Sequence, residues 1–194
     1  DFEEKKCIHH LRHFFLSESY NLNETSFTAA EADDRLESQL IVPLKESRLI
    51  LNLSKCDAEV VFLLCKELSS LMARLLLKYL WRDDKKFTDW GSLLLSKQVR
   101  LIQNYMASLV EENAFHAASL LNEWQRVTQV VTLLQLEKPS DWAAYRDDSH
   151  VLSNEEVRQT LCLRIDFSTD AVAAVCGATS KSEAVPAEKV DDSK

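Results

Sequence analysis

Glycine and proline are almost missing from this sequence: 194 residues hold two glycines and three prolines. Strand-rich sandwiches and barrels need tight turns at short intervals, and those residues supply most of them, so the scarcity favours long helices. Basic surplus is also lacking. Lys and Arg number 23 against 31 Asp and Glu, a formal charge of −8 with a pI near 5.2. That balance argues against a nucleic-acid footprint and against a general attraction to anionic membrane. No basic start followed by an apolar run opens the chain, so no secretory signal is visible. The most apolar stretch, Val60 to Leu80, has the length of a membrane span but carries Lys66, Glu67, Arg74 and Lys78, which mark a core helix instead of a transmembrane segment. Because Asp1 is not methionine, the sequence reads as a piece cut from something larger.

What is present is helical periodicity. Ile8, Leu11 and Phe15 read as the end of a helix, and residues 17–28, rich in Ser, Asn and Thr, read as a loop. A second helix over 29–53 places Leu36, Leu40, Leu44 and Leu51 on one face with a kink at Pro43. The third, 57–82, carries Val61, Leu64, Leu68, Leu71 and Leu75 and is apolar nearly all round, which predicts a central position. A fourth, capped by Ser92, carries Leu95, Val99, Ile102, Met106 and Leu109; a fifth, 115–136, carries Ala117, Leu120, Trp124, Val127, Val131 and Leu134. Ser140 is the predicted cap of a short turn bearing Trp142 and Tyr145. Ser153 with Glu156 forms a capping box opening a helix over 154–165, followed by a short helix over 169–176. The division this predicts is 1–28, a helix end and flexible loop from a preceding bundle; 29–176, a C-terminal helical bundle domain; and 177–194, a disordered acidic tail.

Chemistry is harder to find. Five cysteines, Cys7, Cys56, Cys65, Cys162 and Cys176, are an odd number and, apart from Cys7, lie in apolar helical patterns, which suits a reducing compartment. Cys7, His9, His10 and His13 are the one cluster of metal-ligand types, but their spacing closes no four-ligand site, and an exposed helix end with incidental histidines is the plainer reading. No GxSxG, HExxH or phosphate-binding glycine loop is present, and the acid pairs Asp33-Asp34, Asp83-Asp84 and Asp147-Asp148 fall at loops or helix starts. We therefore expect no catalytic residues, no cofactor, no metal and no enzyme. Trp124 lies on an apolar stripe and reads as core, whereas Trp81, Trp90 and Trp142 stand at helix ends, where docking and packing are equally open readings. Arg126, on the fifth helix, and Glu156, on the capping-box helix, are placed to pair and lock the terminal helices to the bundle; the other reading is that Glu156 only closes its own cap.

Two stretches carry a family resemblance: Arg126-Val-Thr-Gln-Val-Val-Thr-Leu-Leu-Gln-Leu-Glu-Lys138, and Leu152-Ser-Asn-Glu-Glu-Val-Arg-Gln-Thr-Leu-Cys-Leu-Arg-Ile-Asp-Phe167. With Trp142 and Tyr145 between them, they resemble the C-terminal region of subunit 4 of the conserved oligomeric Golgi complex. The likeness continues upstream more weakly through Gly91, Lys97 and Arg100 to about Glu31. It implies an all-α antiparallel helical bundle of the multisubunit-tether type shared with exocyst (CATCHR), with short C-terminal helices. It further implies a non-enzymatic docking module in retrograde intra-Golgi vesicle transport, peripheral on the cytosolic face of the Golgi membrane. The implied partners are other subunits of the tethering complex and SNAREs, their regulators or Rab GTPases. Arg126, Glu156, Arg158, Arg164, Asp166, Trp142 and Tyr145 are the implied structural or partner-docking residues. The tail departs from the family pattern, being acidic where a short basic run is expected. An equivalent bundle of an exocyst-type tether and a small metal-binding helical protein are the alternative readings.

Overall fold

The computed structural model describes residues 2–53, 55–110, 114–146 and 149–179. Asp147-Asp148, the tail beyond 179 and the Cys7 side chain lie outside the described residues. The chain is helical: α1 Phe2–Ser17, α2 Glu24–Ala32, α3 Val42–Lys45, α4 Arg48–Leu53, α5 Ala58–Leu80, α6 Asp89–Ser108, α7 Ala114–Asn122, α8 Gln125–Leu134, α9 Trp142–Tyr145, α10 Asn154–Leu161 and α11 Thr169–Thr179. Among the described residues, bridged extended chain is confined to the isolated pairs Tyr20 with Phe87 and Phe87 with Arg164. The fold is an all-α bundle, as its glycine-poor sequence predicts.

Several boundaries differ from the periodicity, each for a local reason. The 17–28 segment is a loop only as far as Asn23, whose side chain accepts from the Ser26 N–H at 2.9 Å and starts α2 with a capping box. The expected 29–53 helix breaks into pieces. Pro43 has no N–H to donate back toward Gln39, and the turn before it, Glu37–Ile41, widens to π-helical form. Ser47 then restarts the chain as α4, accepting from the Ile50 N–H, so Leu51 is turned out, 61% exposed, while Leu53 is buried. The cap of α6 is Thr88, whose Oγ1 accepts from the Gly91 N–H at 3.1 Å; Ser92 lies buried inside the helix. Ser140 likewise lies within the 3₁₀ turn Pro139–Asp141, which Asp141 closes by accepting from the Lys138 N–H. The fifth helix is two, α7 and α8, hinged at Trp124, and α10 ends at Leu161, which leaves Ile165 exposed.

Leu68 of the expected α5 stripe is buried, but beyond it the core stripe is shifted by one position. Met72, Leu76 and Leu80 are buried, whereas Leu64 is exposed and Leu71 and Leu75 are partly covered. A helix apolar all round leaves its phase undetermined by sequence, and the neighbours choose it. Nor is α5 enclosed: its N-terminal half shows Val60, Leu63 and Leu64 to solvent. The central element is the short α8. It packs against α5, α6 and α10, and its Val127, Val130, Val131, Leu133 and Leu134 are buried. α1 also packs against α5, with Leu11, Phe14 and Phe15 in the same buried cluster as Leu76 and Trp124. Beyond α8, α10 and α11 close the end of the bundle, and α11 also touches the 3₁₀ turn 139–141.

One glycine is required by closeness. A Cβ on Gly91 would lie 1.7 Å from the Tyr20 carbonyl oxygen, because the 18–22 segment runs directly over the start of α6. Gly91→Ala is expected to destabilise by about 3 kcal/mol, since backbone, not a flexible side chain, stands in the way. Leu76→Ala, at a fully buried position, is expected to cost about 2 to 5 kcal/mol and Leu71→Ala clearly less. Urea denaturation midpoints of the three variants check both statements, and a larger loss at Leu71 than at Leu76 would refute the phase of α5 described above.

Candidate functional site

The residues singled out by sequence fall into an outer group and an inner one. The outer group sits on α8 and α10. Arg126 is half-exposed and its Nη2 donates to Glu156 Oε1 in a close ion pair. The other oxygen of Glu156 accepts from the Ser153 N–H at 2.9 Å and from the Ser153 hydroxyl, while Ser153 Oγ accepts from the Glu156 N–H at 3.3 Å. The two readings of Glu156 are thus both fulfilled: it closes its own cap and pairs with α8. Burial pushes the Glu156 carboxyl up, but the Ser153 hydrogen bonds and the Arg126 charge outweigh it and hold it below its ordinary value. Two residues that periodicity did not single out extend the clamp. Gln125 and Gln129 both donate to the Ser149 carbonyl, at 2.8 and 2.9 Å, and Gln129 Oε1 accepts from the Val151 N–H. One face of α8 therefore pins the connector 149–153 as well as α10.

Arg158 turns to Glu155 on its own helix in a two-pronged pair, with contacts of 2.9 and 2.6 Å, and both side chains are exposed. Tyr145 is exposed at 59%, while Trp142 is buried with its ring edge-on to His150, centroids 4.4 Å apart. The other helix-end tryptophans also pack. Trp81 donates from Nε1 to Thr160 Oγ1 at 3.0 Å, and Trp90 leans on the Phe27 ring.

The inner group centres on Arg164, whose side chain is 1% exposed. Its Nη1 donates to the Leu134 and Leu136 carbonyls, which are left open where α8 ends. Its Nη2 pairs with Asp89 in the first turn of α6 and, at 2.7 Å, with Asp166, to which Nε also donates at 2.8 Å. The Phe167 ring covers the guanidinium at 4.5 Å. The hydrogen bonds from Arg164 hold the Asp166 carboxyl below the usual carboxylate range. Phe87 lies alongside: its N–H donates to the Leu163 carbonyl at 2.9 Å and its carbonyl accepts from the Ile165 N–H at 3.0 Å. Next to it the Thr88 N–H donates to the Tyr20 carbonyl at 3.2 Å, so three distant segments are joined.

A second buried polar cluster was hidden from sequence reading. The Lys85 ammonium donates to the Leu16 and Glu18 carbonyls at 3.3 and 2.6 Å, closing the C-terminal end of α1, and burial draws its pKa down. Tyr20 donates to Gln98 Oε1 at 2.8 Å, Gln98 donates to Glu18, and Arg35 pairs with Glu18 at 2.9 Å. Burial, then the Glu18 charge, raises the Tyr20 phenol well above its ordinary value, so it stays a donor. Lys85 lies in what sequence shows as a polar break, and only burial distinguishes it.

Among the described residues, no group of three or more His, Cys, Asp or Glu is placed to hold a metal ion, and no helix is long and apolar enough to cross a membrane. The arrangement can carry loads between helices and present charge at its surface.

Removing the Arg164 guanidinium leaves two buried carbonyls open, so Arg164→Met is expected to cost about 3 kcal/mol or more in chemical denaturation. At the clamp, Glu156→Ala should cost more than Arg126→Ala, because it also removes the cap. The coupling from the double-mutant cycle should be on the order of 0.5 to 1 kcal/mol, and strictly additive effects would refute the pair. Both Glu156 and Asp166 have folded-state pKa values below their unfolded ones. Their stabilisation is therefore present above about pH 4 and lost as pH falls through the folded values. Glu156→Gln and Asp166→Asn should lower the thermal midpoint at neutral pH and converge with the wild type in acid.

Comparison with known proteins agrees with this frame and adjusts its extent. The family described as "Conserved oligomeric Golgi complex subunit 4, C-terminal" matches residues 5–159. The match reaches upstream of Glu31 to include most of α1, and it stops before Arg164 and Asp166, although the resemblance in sequence runs to Phe167. Curated relatives named "Conserved oligomeric Golgi complex subunit 4" are 28% identical over 163 residues in Bos taurus and 29% over 164 in Drosophila melanogaster, covering 80% and 79% of this chain. The one in Arabidopsis thaliana is 23% identical over 169 residues, 81% of the chain. The chain spans about a fifth of the length of these relatives, 19 to 21%. With the family matched over most of its length, on the helices whose packing is described above, the chain belongs to the C-terminal family of subunit 4 of the conserved oligomeric Golgi complex.

Proposed function

We propose that this chain is the C-terminal docking module of a Golgi vesicle-tethering subunit, without catalytic activity, acting in retrograde transport within the Golgi from the cytosolic face of its membranes. The observation that carries this reading is the family match over residues 5–159. The geometry is compatible with it. Apart from Arg158, which pairs within its own helix, the charged residues drawn from the resemblance are engaged in holding segments together, through Arg126 with Glu156 and Arg164 with Asp89 and Asp166. A module that binds by shape needs its surface fixed in advance, because ordering it on contact would oppose binding. In this reading Arg164, Asp166 and Trp142 are the internal frame, and Arg126, Glu156, Arg158 and Tyr145 form the face that partners read. The partners are other subunits of the tethering complex, together with SNAREs, their regulators or Rab GTPases.

Cells lacking the corresponding subunit test this. The full-length protein should restore residence of recycling Golgi enzymes and co-purify with its sister subunits. The same protein lacking this segment should fail to restore enzyme residence while Arg126→Glu restores it only in part. Full restoration without the segment would refute a docking role.

A further inference from the structure

A groove of about 210 Å³ lies between α2, the turn that follows it, and α6. Its floor is formed by Glu18 and Gln98, both more than nine-tenths buried and joined by a 3.3 Å hydrogen bond. Its walls are apolar, from Ala29 and Ala30 on α2 to Leu94 and the 45% exposed Leu101 on α6. Along the same outer side of α6, Leu93 and Leu101 flank Lys97 at one-turn steps, and Leu93 is as exposed as Leu101. The rim is acidic. Glu31, Asp33 and Asp34 join Glu18 in the lining, four carboxylates against two cations. Both cations are already taken: Lys97 by Glu31 at 2.9 Å across the groove, and Arg35 by Glu18 and, at 4.0 Å, by Asp33.

The size decides between kinds of occupant. Small-molecule sites run to roughly 300–1,000 Å³, so this groove has room for one long side chain and not for a cofactor. An occupant must have an aliphatic stem to lie against Leu94 and Leu101 and a cationic head to meet the carboxylates, which is the build of arginine or lysine. Arginine fits better, since its planar fork can engage two carboxylate oxygens at once. The wall helix is suited to admitting it, because α2 buries none of its own residues and rests on α6 through the Phe27–Trp90 ring contact and the Lys97–Glu31 pair.

We propose that the groove between α2 and α6 is a docking pocket for an arginine of a basic, amphipathic segment of a partner protein, with neighbouring apolar residues of that segment resting on Leu93 and Leu101. The inference rests on the docking reading above and adds to it a second surface with a partner of stated chemistry. Its lining residues, from Glu18 to Leu36 and from Leu94 to Leu101, are separate from the Arg126–Glu156 face.

The test uses the whole chain, isotope-labelled, and a short amphipathic peptide of leucine, alanine and arginine. Backbone shifts on titration should cluster at Ala29, Ala30, Leu94, Gln98 and Leu101, and binding should weaken as salt is raised. The double variant Asp34→Lys, Leu101→Lys changes two exposed positions and should fold with an unchanged spectrum elsewhere. It should bind the peptide at least about tenfold more weakly, a loss of about 1.4 kcal/mol. Unaltered binding by the double variant, shifts that map away from the groove, or no binding by the wild type would overturn the proposal. Equal binding of the same peptide with norleucine in place of arginine would overturn it in favour of an apolar occupant, and self-association through the same residues in favour of a second copy. Any of these leaves the deletion experiment in cells unaffected, so a failed groove and a failed docking role are told apart.

Discussion

The burial of one guanidinium constrains the rest of the bundle. Arg164 is always charged and almost wholly removed from water, a position that is costly unless every donor finds an acceptor. The acceptors come from three places: the carbonyls where α8 ends, Asp89 where α6 begins, and Asp166 two residues along. Each of these must be in place for the arrangement to be tolerable, so the charge acts less as a source of stability than as a condition on geometry. It fixes where α8 stops, which way α6 starts and how the terminal segment crosses them. The short α8 becomes the central element because its end and its outer face are held separately, the end by Arg164 and the face by Arg126, Gln125 and Gln129.

The polar interior follows the same logic at the other side. Lys85 supplies the missing donors for the end of α1, as Arg164 does for α8. Two helices, α1 and α8, are thus terminated by cations that come from elsewhere in the chain, which suits a sequence with hardly any glycine to end helices in the usual left-handed turn. That substitution explains why so few glycines suffice. It also explains why the one at position 91 is so closely confined, since the chain that brings Tyr20 to Phe87 must pass over it.

Much of this was legible in the sequence, and what was not has identifiable causes. Amphipathic helices with a polar side announced their buried faces correctly, as with Leu95, Val99, Ile102 and Met106 on α6 or Leu120, Trp124 and Val127 on α7 and α8. The apolar α5 did not, because a helix without a polar side has no preferred rotation until its neighbours are known. Caps were found where the side chain acts locally, at Ser153 and Glu156, and misplaced where several serines and threonines competed, at Thr88 against Ser92. The pairing of Arg126 with Glu156 could be proposed from helix faces and a family pattern. The role of Arg164 as the inner tie, and those of Lys85, Glu18 and Gln98, could not, because they depend on partners as far as 80 positions away and leave no periodic trace.

The meeting of Tyr20, Phe87 and Arg164 has a further consequence for the order in which the molecule takes shape. A ribosome releases the chain from its N-terminal end, and α1, α5 and α6 can form while they emerge. The three-way junction cannot close until residue 164 is out, because its last member is also its charged one. Contacts of such sequence separation are slow to form. During that interval the end of α1 can already be closed by Lys85, whereas the end of α8 lacks its partner, and a nascent chain in this state is the one that chaperones would meet.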